Sequence, residues 1–224
     1  MPNDKTLFIF AGPNGSGKST LVRAVLSMFA LQYVCADDID KHLQHEIADE
    51  KERAAKAMET AERAVYALID KGAFCGYETV LSSDYKWPIF QHAHARGMRI
   101  IAFFIATKDV EINCKRVAKR VAEGGHAVPD EKVRSRYGRS IERLSKLMQI
   151  ADVGFVFDNS LDCVKPVPLL MKIGRRIRYD ARLTKEYAWA ADCLSQFQTG
   201  KQYKTIQEED LSKALGADWL RLIP

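Results

Sequence analysis

Short apolar runs alternate with amphipathic segments through most of the chain. Such runs predict strands buried on both faces of a sheet, whereas apolar residues three and four apart predict helices that cover it. The predicted strands are residues 6–11, 32–36, 74–79, 99–106 and 153–158. The predicted helices start near residue 18 and at residues 39–47, 49–71, 86–96, 110–121 and 130–149. This alternation predicts an α/β fold with a mostly parallel sheet and helices on both faces.

The pattern is weaker beyond residue 159. Residues 169–173 predict an edge strand that continues through 175–179, and residues 183–197 predict a helix. A polar connector at 199–204 and a short helix at 208–215 follow. We therefore predict a main domain over residues 1–180 and a C-terminal helical extension over residues 181–224.

The segment between the first strand and the first helix matches the phosphate-binding loop Gly-x-x-x-x-Gly-Lys-[Ser/Thr]. Its glycines let backbone N–H groups face an anion, and the start of the helix adds its positive dipole end. Lys18 supplies a charge for the outer phosphates, and the Ser19 hydroxyl suits Mg²⁺. The motif thus predicts a site for ATP and Mg²⁺. The predicted nucleotide contacts are Gly12, Pro13, Asn14, Gly15, Ser16, Gly17, Lys18, Ser19 and Thr20.

Carboxylates follow two other strands at the same predicted edge of the sheet, where parallel α/β sheets bind their ligands. Asp37 and Asp38 come after the second strand. Either could accept a proton from a substrate hydroxyl or join the Mg²⁺ shell, and capping the next helix is the structural alternative. Asp38 is also a candidate substrate contact. Glu78 and Thr79 end the third strand, and we expect them to bind substrate. For Glu78 the structural alternative is an ion pair with a nearby Arg or Lys.

Basic residues cluster on two neighbouring predicted helices joined by a Gly-Gly loop. This arrangement predicts a helical, arginine-rich lid over about residues 115–145 that closes over a triphosphate and excludes water. Arg116, Arg120 and Arg136 are the candidate phosphate contacts, because a guanidinium can hold two phosphate oxygens at once. Other arginines are expected to form surface ion pairs. His126, in the loop between the helices, is a candidate contact to phosphate or substrate.

Composition narrows the class of protein without choosing a ligand. The chain has 224 residues, 47% of them hydrophobic, and a net charge of +5, which suits a polyanionic ligand and also admits nucleic acid. No apolar run approaches the ~20 residues of a membrane span, and the N-terminus does not resemble a secretory signal. Five scattered cysteines without a Cys-x-x-Cys pair suit free thiols. We therefore expect a cytoplasmic protein with no membrane association.

Four kinds of P-loop protein compete at this point. An ATPase module of a transporter or DNA-processing assembly needs a Leu-Ser-Gly-Gly-Gln-type signature, which the sequence lacks. A GTP switch protein needs an Asn-Lys-x-Asp base reader, which is also missing. A kinase of nucleic-acid ends is compatible with the basic charge. The candidate base and the arginine cluster favour a small-molecule kinase, and nucleic acid is the less favoured acceptor.

Taken together, these motifs resemble the zeta toxin family of P-loop kinases over roughly residues 5–160. The resemblance includes the phosphate loop, Ala-Asp-Asp-Ile at 36–39, the arginines of the lid helices and Asp-Asn-Ser at 158–160. Its most specific parts are Glu-Thr-Val-Leu-Ser-Ser at 78–83 and Gly-Gly-His-Ala-Val-Pro at 124–129. All occur in the family's order and spacing.

The resemblance implies transfer of the γ-phosphoryl group of ATP to a hydroxyl of a sugar nucleotide, UDP-N-acetylglucosamine in the toxin members. It implies that Asp37 is the base, that Glu78 binds substrate, and that Arg116 or Arg120 contacts phosphate. An antitoxin protein is an implied partner, by resemblance only.

Two positions depart from the pattern of the toxins. Cys35 stands where relatives often have Asn, and His126 stands where the toxins carry a second lid arginine. The chain therefore resembles the broader chromosomal branch of the family, for which neither toxicity nor the sugar substrate follows.

Overall fold

One sheet of eight strands organises the computed structural model, which describes residues 5–125, 127–162, 164–180, 183–195 and 200–203. The strands are β1 (Thr6–Ala11), β2 (Gln32–Val34), β3 (Cys75–Thr79), β4 (Arg99–Ala106), β5 (Val153–Asp158), β6 (Val167–Ile173), β7 (Arg176–Asp180) and β8 (Gly200–Tyr203). The helices are α1 (Lys18–Met28), α2 (Ala36–Leu43), α3 (Glu50–Asp70), α4 (Trp87–Ala95), α5 (Val110–Ala122), α6 (Asp130–Glu142), α7 (Leu144–Ile150), α8 (Leu183–Glu186) and α9 (Ala188–Ser195), with a 3₁₀ turn at Asp84–Lys86.

The strand order is β2-β3-β1-β4-β5-β6-β7-β8. The strands from β2 to β5 in this order are parallel, β6 and β7 each run antiparallel to the strand before them, and β8 is parallel to β7. The predicted α/β class with a mostly parallel sheet and flanking helices is confirmed. Because β1 lies inside the parallel part, the loop that follows it lies at the carboxyl edge, between the ends of β3 and β4.

The side chains of β1 show why its whole sequence is apolar. Phe8 and Phe10 face one side of the sheet and pack with α1, whereas Leu7 and Ile9 face the other side and pack with α3 and α4. On the first side the ring of Phe103 stacks on Phe10, with centroids 5.5 Å apart. Each such side chain contributes roughly 1.5–3 kcal/mol when it is fully buried. Burial on both faces therefore holds the strand that carries the loop in a rigid position.

The start of α2 differs from the prediction. β2 ends at Val34, and α2 begins at Ala36, so Asp37 and Asp38 lie in the first turn of a helix and not at the end of a strand. The N-cap is Cys35, so neither aspartate is the cap that the structural alternative required. Carboxylates are favourable in this turn because the helix dipole is positive there.

The predicted helix at residues 130–149 is two helices, which meet at Arg143. The Ser140 hydroxyl donates to the Val80 carbonyl at 2.7 Å and holds α6 over the end of β3. In α7, Leu144 and Leu147 instead enter the core of the sheet. The two helices therefore pack on different parts of the molecule.

The C-terminal part contains more strand than predicted. The predicted edge strand is a hairpin, in which β6 and β7 reverse at Gly174 with φ +56°. The predicted helix at 183–197 is divided into α8 and α9, and the predicted connector at 199–204 contains β8. The predicted helix at 208–215 lies outside the described residues. The division at residue 180 remains a prediction, and the described part of the extension contributes a strand to the sheet.

Candidate active site

The phosphate-binding loop leaves β1 in a tight curl that depends on glycine. Gly12 and Gly17 have φ values of +142° and +96°, which side chains rarely adopt. A Cβ at Gly12 would collide with the Ile105 carbonyl oxygen, and one at Gly17 with the side-chain amide of Asn159. The loop is therefore packed against the ends of β4 and β5, which determine its shape.

Lys18 starts α1 and is buried, with 6% of its surface exposed. Its Nζ donates to the Pro13 carbonyl at 2.8 Å, so the side chain folds back across the loop. Burial lowers the pKa of Lys18, while the nearby carboxylates of Glu78 and Asp37 oppose that shift. An anion in the loop would compensate the buried charge further.

A cavity of about 340 Å³ opens over this loop. Its basic side chains outnumber its two carboxylates, which suits a polyanionic ligand. Its charged lining residues are Lys18, Arg23, Arg116, Arg120, Arg136, Asp37 and Glu78. The predicted nucleotide contacts that also line it are Asn14, Gly15, Gly17, Ser19 and Thr20.

A second cavity of about 390 Å³ adjoins the first. The two share Asp37, Glu78, Val80 and Arg136 as lining residues. The second cavity lies between α2, α3, the end of β3 and the 3₁₀ turn, and its other lining residues include Cys35, Met58, Thr79, Leu81, Tyr85 and Lys86. A molecule bound in this cavity would therefore meet a phosphate in the first cavity at two carboxylates and a guanidinium.

The two adjacent aspartates have different surroundings in the structure. Asp37 lines both cavities, whereas Asp38 lines neither and forms an exposed ion pair with Lys41 at 3.5 Å. The carboxylate of Glu78 accepts a hydrogen bond from the Tyr33 hydroxyl at 2.6 Å. Burial and the adjacent Glu78 both raise the pKa of Tyr33. Tyr33 therefore stays protonated and holds the Glu78 carboxylate in one orientation.

Thr79 lines the second cavity but uses its hydroxyl within the protein. Its Oγ1 accepts from the Leu81 N–H at 3.0 Å. Leu81 is buried and has φ +57°, a conformation that is unusual for a residue other than glycine. The hydrogen bond stabilises this strained turn. Thr79 therefore has a structural role in addition to the predicted substrate contact.

The candidate arginines differ in their surroundings. Arg116 donates to the Asn159 carbonyl at 2.7 Å and to Asp162 at 2.7 Å, and it lines the first cavity together with Arg120. Arg136, on α6, lines both cavities. Other arginines of α6 and of its junction with α7 form ion pairs or contact their own helix, as expected of surface residues; they are Arg134, Arg139 and Arg143.

The predicted lid is in contact with the sheet in this structure. Besides the bond from Ser140, the Tyr137 hydroxyl donates to the Thr107 carbonyl at 2.6 Å, so α6 is attached to the ends of β3 and β4. That residues 115–145 open and close remains a prediction. His126 lies outside the described residues, and its contact to phosphate or substrate remains a prediction.

Sequence reasoning missed Tyr33 and Asn113. Asn113 is fully buried and binds the loop through its side chain. It lies one turn before the buried Val117 on α5, so a polar residue on the apolar face of that helix was the available signal. Tyr33 gave none, because its partner Glu78 belongs to another strand.

Oxygen ligands for a divalent cation are present at the cavity. Ser19 and Asp37 both line it, and oxygens of this kind suit Mg²⁺, which needs few protein ligands when it binds with phosphates. The described residues contain no cluster of three or more His, Cys, Asp or Glu side chains that could hold a metal ion. Cys35, beside the second cavity, is a free thiol whose pKa burial raises to about 11.

The central position of β1, the parallel strand order around it and the loop between β1 and α1 define a P-loop protein of the α/β class. A family model described as an AAA domain matches residues 7–144, and the chain belongs to this family. A protein of Haemophilus influenzae, described as uncharacterized, is 29% identical over 137 residues, which cover 60% of this chain and 93% of that protein.

Two solved structures support the fold at low sequence identity. The AvrRxo1-ORF1:-ORF2 complex with ATP has a TM-score of 0.65 at 17% identity, covering 87% of this chain and 63% of that chain. The PezAT chromosomal toxin–antitoxin system of Streptococcus pneumoniae has a TM-score of 0.56 at 19% identity, covering 97% and 84%. In the part that the structure describes, no helix combines the length and apolarity needed to cross a bilayer.

Proposed function

We propose that this protein is an ATP-dependent phosphotransferase that moves the γ-phosphoryl group of ATP to a hydroxyl of a small molecule. The observation that carries the proposal is the junction of the two cavities at Asp37, Glu78 and Arg136. Phosphoryl transfer requires a donor phosphate, an acceptor hydroxyl in line with it, a proton acceptor and positive charge at the transferred group. The junction offers a proton acceptor and positive charge. It lies between one cavity that can hold the donor phosphate and another that can hold the acceptor.

On the donor side, the loop residues 12–20 hold the triphosphate. Lys18 releases the Pro13 carbonyl and turns to the outer phosphates, which gives its buried charge an anionic partner. Arg116, Arg120 and Arg136 act on the charge that develops on the transferred group. The Ser16 hydroxyl is buried inside the curl and has no hydrogen-bond partner among the described residues, which fits an anion held there.

On the acceptor side, Asp37 accepts the proton of the attacking hydroxyl, and Glu78, oriented by Tyr33, binds and positions the acceptor. Asp37 is the better candidate of the two aspartates because it faces both cavities. The exposed side chains of Met58 and Tyr85, at 42% and 63% exposure, stand where an apolar part of the acceptor would rest.

Ser19 and Asp37 would hold Mg²⁺ with the phosphates. The ion would neutralise charge on the phosphate oxygens when bound. The loop and the arginines bind and orient ATP.

The resemblance to zeta toxins supplies a specific candidate acceptor, a sugar nucleotide such as UDP-N-acetylglucosamine. The likeness to PezAT and AvrRxo1 is compatible with this assignment and with an antitoxin partner, and both remain proposals for this chain. An antitoxin would be tested by co-purification with the product of an adjacent reading frame.

The test is transfer of label from γ-labelled ATP with Mg²⁺ to UDP-N-acetylglucosamine, N-acetylglucosamine or a 5′-hydroxyl oligonucleotide, with an acceptor-free control. Label on a small hydroxyl acceptor, lost in Lys18→Ala, supports the proposal. Label on the oligonucleotide alone would make the protein a nucleic-acid-end kinase. Phosphate release that no acceptor changes would make it an ATPase module, and no turnover in any arm of a broad acceptor screen would contradict the proposal.

A further inference from the structure

We propose that Asn113 and Asn159 are positioning residues that aim backbone N–H groups of the phosphate loop at the bound phosphates. The inference rests on the proposed function, because it concerns the same triphosphate site. It adds two side chains from distant elements that need not touch the nucleotide.

Both asparagines donate to carbonyl oxygens of the loop. Asn113 Nδ2 donates to the Asn14 carbonyl at 2.6 Å, and Asn159 Nδ2 donates to the Ser16 carbonyl at 2.9 Å. Asn113 is fully buried, and its Oδ1 accepts from the Thr107 hydroxyl. The two loop carbonyls are thus held from α5 and from the end of β5.

The planar trans peptide converts these contacts into a direction for the N–H groups. The C=O of one residue and the N–H of the next point in opposite directions across the same peptide plane. Because the Asn14 carbonyl points toward Asn113, the Gly15 N–H points away from Asn113. In the same way, the Gly17 N–H points away from Asn159, which holds the Ser16 carbonyl. Gly15 and Gly17 both line the first cavity, so these N–H groups are available to phosphate oxygens.

Asn159 is itself held in place. Its N–H donates to the Ala106 carbonyl at 2.7 Å, which fixes it against the end of β4. Its own carbonyl accepts from Arg116, so the same residue supports the loop and a candidate phosphate contact. A Cβ at Gly17 would collide with its amide, so the close approach of the loop to Asn159 requires glycine at this position.

Asparagine has the required chemistry where aspartate does not. An aspartate at either position would offer only acceptors to a loop carbonyl, and it would add negative charge beside the triphosphate. The expected consequence of losing a donor is a loop whose peptide units can rotate, with weaker phosphate binding and an otherwise intact fold.

The experiment is calorimetric titration of Asn159→Ala and Asn113→Ala with Mg-ATP and with inorganic triphosphate. Each should weaken both ligands about tenfold, the value of one such hydrogen bond, and Asn113→Asp should weaken them more. The matched control is Asp152→Ala, which removes a 2.8 Å hydrogen bond to the Ile100 N–H at the start of β4, on the opposite edge of the sheet. It should lower the melting temperature without changing either affinity.

Affinities within twofold of the wild type in both asparagine variants would overturn the inference, as would an equal loss in Asp152→Ala. If Asn113→Ala does not fold, the half-buried Asn159 carries the test. A wild-type protein that binds neither ligand would overturn the proposed function, and this inference with it, before any variant is compared.

Discussion

At the scale of single residues, phosphate binding depends on the buried charge of Lys18. Burial lowers its pKa below the ordinary 10.5 in the free protein. Phosphate oxygens would favour the charged form and raise that pKa again. Between the two pKa values, binding must therefore take up a proton, and affinity for ATP must fall as the pH rises.

This proton uptake is the first prediction. Calorimetric titrations with Mg-ATP at alkaline pH, in two buffers of different ionisation enthalpy, should show uptake of a fraction of a proton by the wild type. Lys18→Arg keeps a charge that does not titrate in this range and should show none. Equal uptake by both proteins would assign the proton to another group.

The adjacent aspartates give the second prediction. Asp37→Asn should lower kcat by about 10²–10⁴-fold, the usual contribution of a general base, with a smaller loss of affinity for Mg-ATP because Ser19 and the phosphates would still hold the ion. Asp38→Asn is the matched control and should remain close to the wild type, because Asp38 lines neither cavity. Rate measurements with the best acceptor decide between them. Loss of activity in Asp38→Asn alone would reverse the assignment.

The sequence could predict those site residues whose role shows in the residues next to them along the chain. The phosphate loop is a contiguous motif, and Glu78 stands out at the end of an apolar strand. Asn113 acts on a carbonyl 99 residues away, and Tyr33 acts on a carboxylate 45 residues away. No pattern along the chain brings such partners together, so the support of the site became visible only in the fold.

At the scale of elements, α3 shows when a prediction succeeds. The sequence pattern predicts it at residues 49–71, and it runs from Glu50 to Asp70. Its buried residues Ala57, Ala61, Val65 and Ile69 recur every four residues, and the Asp49 side chain caps its start by accepting from the Glu52 N–H at 2.7 Å. By contrast, β8 has the sequence Gly-Lys-Gln-Tyr, which carries no apolar signal, and its pairing with β7 comes from the backbone.

The packing of α3 gives the third prediction. Ile69→Ala should lower the free energy of unfolding by about 2–5 kcal/mol, because it leaves a cavity in the core. Lys51→Ala, exposed on the same helix, should change it by less than about 0.5 kcal/mol. Urea denaturation of both proteins measures the difference. Similar values for the two would mean that α3 does not pack on the sheet as described.

At the scale of the whole molecule, the sheet continues past the P-loop core into β6, β7 and β8. Leu169, Leu170 and Ile177 from this part share one buried cluster with Ala190 and Cys193 of α9. The described helix α9, beyond residue 180, therefore packs in the same core that supports the site.

Truncation after Asp180 is the fourth prediction. The shortened chain should lose on the order of 5 °C or more in Tm, since each kcal/mol corresponds to roughly 2–4 °C for a chain of this size. Differential scanning calorimetry of the full and shortened chains measures it. An unchanged Tm would show that residues 181–224 form a separate unit.

The central claim is that the first cavity holds the triphosphate of ATP against the loop and Lys18, beside the space for an acceptor. The most direct measurement is calorimetric titration of the folded wild type and of Lys18→Met with Mg-ATP. The account predicts saturable binding at one site in the wild type and a loss of at least about tenfold in affinity in the variant, where the charge is missing. Absence of binding to the folded wild type, or equal binding by both proteins, would contradict it.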